Sequence, residues 1–109
     1  MYEIREGLKK VNDVLVDTYE RDVVRGGAAL EVEAGTTGFC GGDRKEGGRA
    51  YVRIRAVLAD FFADVSRNGD GKKDGIVIAA CGDDEILALV EALHFAEKAL
   101  IEGCGVEEE

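Results

Sequence analysis

The chain has no proline and no tryptophan, one histidine (His94) and one serine (Ser66). Without proline, its turns must depend on glycine, asparagine and aspartate. With so few nucleophiles and bases, and no cysteine next to a histidine in sequence, a catalytic constellation has little to be built from. His94, beside Leu93 on a helix flank, reads as structural, and Asp83 and Asp84 read as helix-start residues. No catalytic residue is assigned, and an enzyme is the least favoured class. The cysteines Cys40, Cys81 and Cys104 are odd in number, far apart and without C-x-x-C or Cys/His spacing. That pattern argues against a zinc site and a disulfide framework and predicts reduced thiols. No cofactor and no metal are implied.

Long apolar runs are missing too. None approaches the roughly 20 residues of a membrane span, and the start, MYEIREGLKK, has no signal-peptide core, so a cytoplasmic chain with no membrane partner is predicted. An excess of positive charge is also absent: the formal net charge is −9, which disfavours duplex nucleic acid as a partner. What remains, 109 residues that are 46% hydrophobic and 34% charged, fits one soluble domain, 1–109, with a single core.

The pattern along the chain predicts an α+β fold in two layers. Residues 1–25 read as an N-terminal amphipathic helix. Ile4, Leu8, Val11, Leu15 and Thr18 step by four, three, four and three, Gly7 is a weak spot, and Gly26 and Gly27 end the helix. This helix either covers its own sheet or also packs on another subunit. Residues 28–81 then read as an antiparallel sheet of three to four strands. In the first strand Leu30, Val32 and Ala34 point inward and Glu31 and Glu33 outward. In the next, Ala50, Val52, Ile54 and Ala56 oppose a face of Arg49, Tyr51, Arg53 and Arg55. Residues 59–65 fit a strand with Phe61, Ala63 and Val65 inward, or a helix. GIVIAAC, 75–81, has the β-branched content of a central strand. Residues 83–102 are the C-terminal helix, capped by Asp83, with Ile86, Leu89, Val90, Leu93, Ala96 and Leu100 as its buried stripe. Residues 103–109 form a frayed tail.

SRNGDGKKDG, 66–75, resembles the middle of a calcium loop. Ser66 and Val77 would fall at its first and twelfth positions, where oxygen ligands are needed, so a hairpin turn is the better reading.

The stretch that calls for a ligand is TTGFCGGDRKEGGRAYVRIR, 36–55. Six of the fifteen glycines fall between Gly35 and Gly48. Five cations (Arg44, Lys45, Arg49, Arg53, Arg55) against Asp43 and Glu46 give a local net charge of +3, leaving −12 for the rest of the chain. The loop is neither a Walker A loop nor a G-x-G-x-x-G turn. Glycine pairs do let consecutive backbone N–H groups converge on an anion, and Thr36 and Thr37 add hydroxyls. Arg49 and Arg53 would supply charge, and Phe39 or Tyr51 a stacking surface. The alternatives are a mobile connection, and arginines that match Glu31 and Glu33 across the ladder. Loops this long tend to be functional or disordered.

TTGFCGGDRKEGGRAYVRI followed by GDDEILALVEALHFAEKALIE resembles small bacteriophage proteins with a strand, a GGD-x-x-x-GG loop, a strand and a closing helix. The likeness spans about residues 30–102, and only the glycine motif is distinctive. Proteins of this build include sponges that sequester nucleotide signals of bacterial immunity, such as the cyclic ADP-ribose signals of Thoeris systems. The resemblance implies a homo-oligomer in host cytoplasm that holds an uncleaved ligand between protomers. It places Gly41, Gly42, Asp43, Gly47, Gly48 and Arg49 at the site, with Arg44, Lys45 and Glu46 inside the motif. The competing expectation is an acidic phage inhibitor that binds a host protein, with DNA mimicry as one way to do so.

Overall fold

The computed structural model describes residues 3–39 and 47–104. Its elements are β1 (Arg5–Val11), β2 (Val14–Arg25), β3 (Ala28–Thr36), β4 (Ala50–Leu58), β5 (Phe61–Arg67), β6 (Lys73–Ala80) and α1 (Asp83–Cys104). Strands β1 to β4 form an antiparallel meander in chain order, and β5 and β6 pair with each other as a separate two-stranded sheet. The α+β class and the C-terminal helix agree with expectation. The expected frayed tail lies outside the described residues, apart from Gly103 and Cys104, which belong to α1.

The N-terminal helix is absent, because residues 5–25 are a β-hairpin. Val11 pairs with Val14 across a two-residue turn. Its central residues, Asn12 and Asp13, have φ of 46° and 66°. Such primed turns match the twist of paired strands, and Asn and Asp accept left-handed backbone better than most residues. The stripe that fits a helix is mostly half-exposed or exposed, and the residues buried in β2 are Val16, Thr18 and Val23. Gly26 and Gly27 do not terminate a helix; they turn β2 into β3, with Arg25 opposite Ala28.

The two-residue alternation of β3 and β4 is realised, but Ala50 and Val52, expected inward, are exposed, and Glu33, expected outward, is buried on the face away from α1. Leu30, Val32 and Ala34 face α1, joined by Val23 from β2, with Ile54 and Ala56 of β4 packed beside them. A fully buried Val or Leu contributes roughly 1.5–3 kcal/mol, so these few side chains make this sheet the stable part of the fold. The helix meets them with Ala88, Ala92 and Ala96, flanked by Leu89, Phe95 and Ala99. This corrects the expected stripe: Ala96 is buried, whereas Ile86, Val90 and Leu93 are exposed. Small side chains let the helix lie close to the sheet, and the branched residues are turned away by about a quarter to a half of a turn.

The helix begins one residue earlier than a cap at Asp83 would allow. The Gly82 carbonyl accepts the first helical bond, from Ile86 N at 3.0 Å. The acids of the first turn tie other segments down: Asp84 accepts from Gly27 N at 3.1 Å and Glu85 from Asp60 N at 3.4 Å.

Residues 61–67 are a strand, and Phe61, Ala63 and Val65 share a face, but only Phe61 reaches the core. The β-branched run in β6 is not a central strand: among the described residues, β6 pairs with one strand, β5. Ser66 to Gly75 is the hairpin's tip. There Asn68 Oδ1 accepts from Asp70 N and Lys72 N at 2.9 and 3.1 Å, and Ser66 Oγ donates to Asp74 at 2.7 Å. Among the described residues, no helix is long and apolar enough to cross a membrane.

Candidate functional site

The glycine-rich loop is closed at its base by hydroxyls and backbone. The β3–β4 ladder ends at Thr36 opposite Ala50. Beyond it, Thr37 N donates to Arg49 O at 3.0 Å and Arg49 N donates to Thr37 Oγ1 at 2.9 Å. Thr36 Oγ1 also donates to Arg49 O, at 2.7 Å, and accepts from Gly38 N at 3.1 Å. Both threonine hydroxyls therefore hold the loop shut rather than face outward.

Gly38 and Gly47 have φ of 84° and 78°. A Cβ on Gly48 would lie 1.8 Å from the Gly38 carbonyl oxygen, so the two loop arms pass at a distance that only glycine permits. Arg49 is 6% exposed, and its Nη1 donates to Gly47 O at 2.8 Å. Phe39, 69% exposed, stands at the mouth. Thr36, Thr37, Phe39, Gly47, Gly48 and Arg49 are thus gathered at one place. Gly41, Gly42, Asp43 and Arg44, with Lys45 and Glu46, lie outside the described residues.

Tyr51 and Arg53 belong to a different environment, the sheet face opposite α1. Tyr51 is half-buried opposite Gly35. Arg53 Nη2 is 3.2 Å from Glu20, 3.2 Å from Glu31 and 3.3 Å from Glu33. Arg55 forms two hydrogen bonds to Glu31, at 3.2 and 3.0 Å. Those bonds hold Glu31 below the ordinary glutamate value, against burial, which pushes it up, and they raise Arg55 in turn. Arg5 donates twice to Glu20, at 2.9 and 2.7 Å, and once to Asp22 at 3.2 Å; these bonds raise its already high pKa.

Glu33 lies at the centre of this face, 2% exposed. Its Oε2 accepts from the buried Thr18 hydroxyl at 2.5 Å. Its Oε1 makes no hydrogen bond and faces Lys9 at 3.8 Å and Arg53 at 3.3 Å. Gly7 leaves the room: a Cβ there would come within 2.8 Å of Thr18 Oγ1 and 3.1 Å of Glu33 Oε2. Arg5, Lys9, Arg53 and Arg55 thus meet Glu20, Asp22, Glu31 and Glu33 in a charge-balanced lattice. The sequence weighed two arginines against Glu31 and Glu33, and that pairing is what forms. It missed Arg5, Lys9, Thr18 and Glu20, whose alternation in β1 and β2 was masked by the helix-like spacing.

A groove of about 1230 Å³ opens on the other side, between β1–β2 and α1. Tyr19, His94 and Phe95 line it, and the Arg21 guanidinium lies 5.8 Å from the Phe95 ring centroid. Five carboxylates against Arg5, Arg21 and Lys98 make its charged lining acidic, unsuited to phosphate. Compared with protein-family models, curated proteins and solved structures, the chain matches none.

Proposed function

We propose that the chain is a non-catalytic binding protein that sequesters a small phosphorylated nucleotide signal, counteracting bacterial anti-phage immunity, with the glycine-rich loop rather than the strand arginines as its binding element. One observation supports this reading above the others. The loop is pinned at its base by Thr36, Thr37 and Arg49, with glycine-only geometry and an exposed Phe39 at its mouth. Such a base fixes where the two arms of the loop leave the sheet, which a loop-borne anion site requires of its support. Arg53 and Arg55 are engaged with carboxylates and would have to abandon them to neutralise phosphate. Arg49 is buried and bonded to Gly47 O within the loop base, so the cationic role passes to Arg44 and Lys45, the remaining cations of the motif.

Thermal melts of the full chain against ADP-ribose derivatives, cyclic ADP-ribose isomers and cyclic di- and trinucleotides test this. A ligand at 100 times its Kd adds about 2.7 kcal/mol of stability. The expected result is a shift for one ligand, recovered intact, that disappears in Arg44→Glu/Lys45→Glu while the unliganded melt is unchanged. No shift across the panel, or conversion of the ligand, defeats the reading.

The alternative is an acidic inhibitor that binds a host protein. It is favoured by the same saturation of Arg53 and Arg55, which leaves the charged sheet face without a net field for an anion. On that reading no ligand shifts the melt, and charge-reversing surface carboxylates, not loop cations, removes partner binding in a pull-down.

A further inference from the structure

The β5–β6 hairpin has the side-chain pattern of a covered sheet and no cover. Phe61 pairs with Ala80, Ala63 with Ile78 and Val65 with Ile76, so one face is apolar from end to end. Phe61, at the base, packs against the core. Toward the tip the same face runs into solvent, and Ile76 is 73% exposed. An isolated two-stranded hairpin is marginal in water, needing a third strand or a helix against its face. Among the described residues, β5 and β6 pair with no other strand, and Val65 and Ile76 on this face stay exposed.

A second uncovered surface lies on α1. Ile86, Val90 and Leu93, spaced i, i+4 and i+7, form a stripe beside the alanine face, with Val90 59% exposed. Together with the hairpin face, the exposed apolar surface amounts to several hundred Å² in two separate patches. A stable interface buries roughly 800 Å² per partner, a little over half of it apolar, so the two patches are of the size one interface needs. The radius of gyration, 15.2 Å, also exceeds the value of about 13 Å for a compact chain of this length, as a projecting arm requires.

We propose that the occupant is a second copy of this chain, with the hairpin of each protomer laid across the Ile86/Val90/Leu93 flank of the other. One two-fold axis then covers both surfaces at once, because each protomer presents an arm and a seat. The charge agrees. The arm's tip, 66–75, carries Arg67, Lys72 and Lys73 against Asp70 and Asp74, a local net charge of +1 in a chain of net charge −9, and α1 is acidic, with Asp83, Asp84 and Glu85 in its first turn. This inference does not rest on the ligand reading, and either can fail without the other.

Sedimentation equilibrium of the full chain over a wide concentration range, with Ile76→Glu and Val90→Glu, is the test. Both residues are exposed in a single copy, so far-UV circular dichroism should show each variant folded. The expected result is a dimeric wild type, monomeric variants and recovered dimer when the two variants are mixed. Recovery is diagnostic, since the mixed dimer restores one intact arm-on-helix contact and neither variant alone has any. A monomeric wild type, including one that instead sediments with phosphatidylglycerol vesicles, overturns the proposal. So does a dimer insensitive to both substitutions, or a mixture that stays monomeric.

Discussion

The two antiparallel sheets of this protein are made from similar residues and treated oppositely. In the four-stranded sheet, one face is closed by the alanines of α1 and the other by a lattice of ion pairs around Glu33. In the β5–β6 hairpin, a face that is fully apolar in sequence stands open. Strand content therefore does not decide which part of the chain is held firmly. Coverage does, because a strand gains stability from what its side chains touch rather than from its backbone preference. The same valine should then have a different worth in the two places.

The largest effect expected is at Glu33. Replacing it with alanine leaves Arg53 and Lys9 facing a void and frees the buried Thr18 hydroxyl. The loss should be about 3 kcal/mol, at the lower end for a broken buried pair because both cations reach water. Urea unfolding with an unchanged slope would show it. A loss well under 1 kcal/mol would mean that the lattice is ordinary surface charge.

Next comes a matched pair across the two sheets. Val32→Ala, in the core, should cost about 2 kcal/mol, while Val65→Ala, on the open face of the hairpin, should stay within about 0.5 kcal/mol in dilute solution. Equal losses would erase the distinction between the sheets. A Val65→Ala loss that grows with protein concentration would sharpen it, by showing that the hairpin face is covered only in an assembly.

The smallest effect concerns acid. Glu31 is held below its ordinary value of 4.5 by Arg55, so the pair stabilises the fold above the unfolded value. That contribution declines as pH falls through 4.5 toward the depressed folded value, and it is lost once the carboxyl is protonated in both states. Glu31→Gln should flatten this part of the stability-versus-pH curve by lowering neutral stability toward its acid value, while leaving stability in acid almost unchanged.

The faces of β3 and β4, the tip at 66–75 and the existence of α1 were legible in the sequence, since each depends on neighbours in the chain. The N-terminal hairpin was not. Ile4, Leu8, Val11 and Leu15 satisfy a helical period by coincidence, and the turn at Asn12-Asp13 is a two-residue signal inside that stripe. Nor could the sequence say which side of α1 would be buried, because the leucine flank is more hydrophobic than the alanine face that packs closer. For the candidate site, the closeness of Thr36, Thr37 and Arg49 follows from the loop's two ends meeting. The engagement of Arg53 depends on Glu20 and Glu33, and the depth of Glu33 on a glycine two strands away, at position 7. Those are relations between distant residues, and periodicity does not record them.

The attachments of α1 at its two ends have a mechanical consequence. Its first turn is tied to the β2–β3 turn through Asp84 and to the start of the hairpin through Glu85. Its last turn presses on the loop base, where Cys104 Sγ lies 3.9 Å from Thr36 Oγ1 and a Cβ on Gly103 would meet the Thr36 methyl group. At 22 residues the helix is a rod roughly 33 Å long. A tilt of about 5° at one end displaces the other by roughly 3 Å over that length, more than the hydrogen bonds closing the loop can absorb unbroken. The start of the hairpin and the base of the loop thus sit against the two ends of one helix.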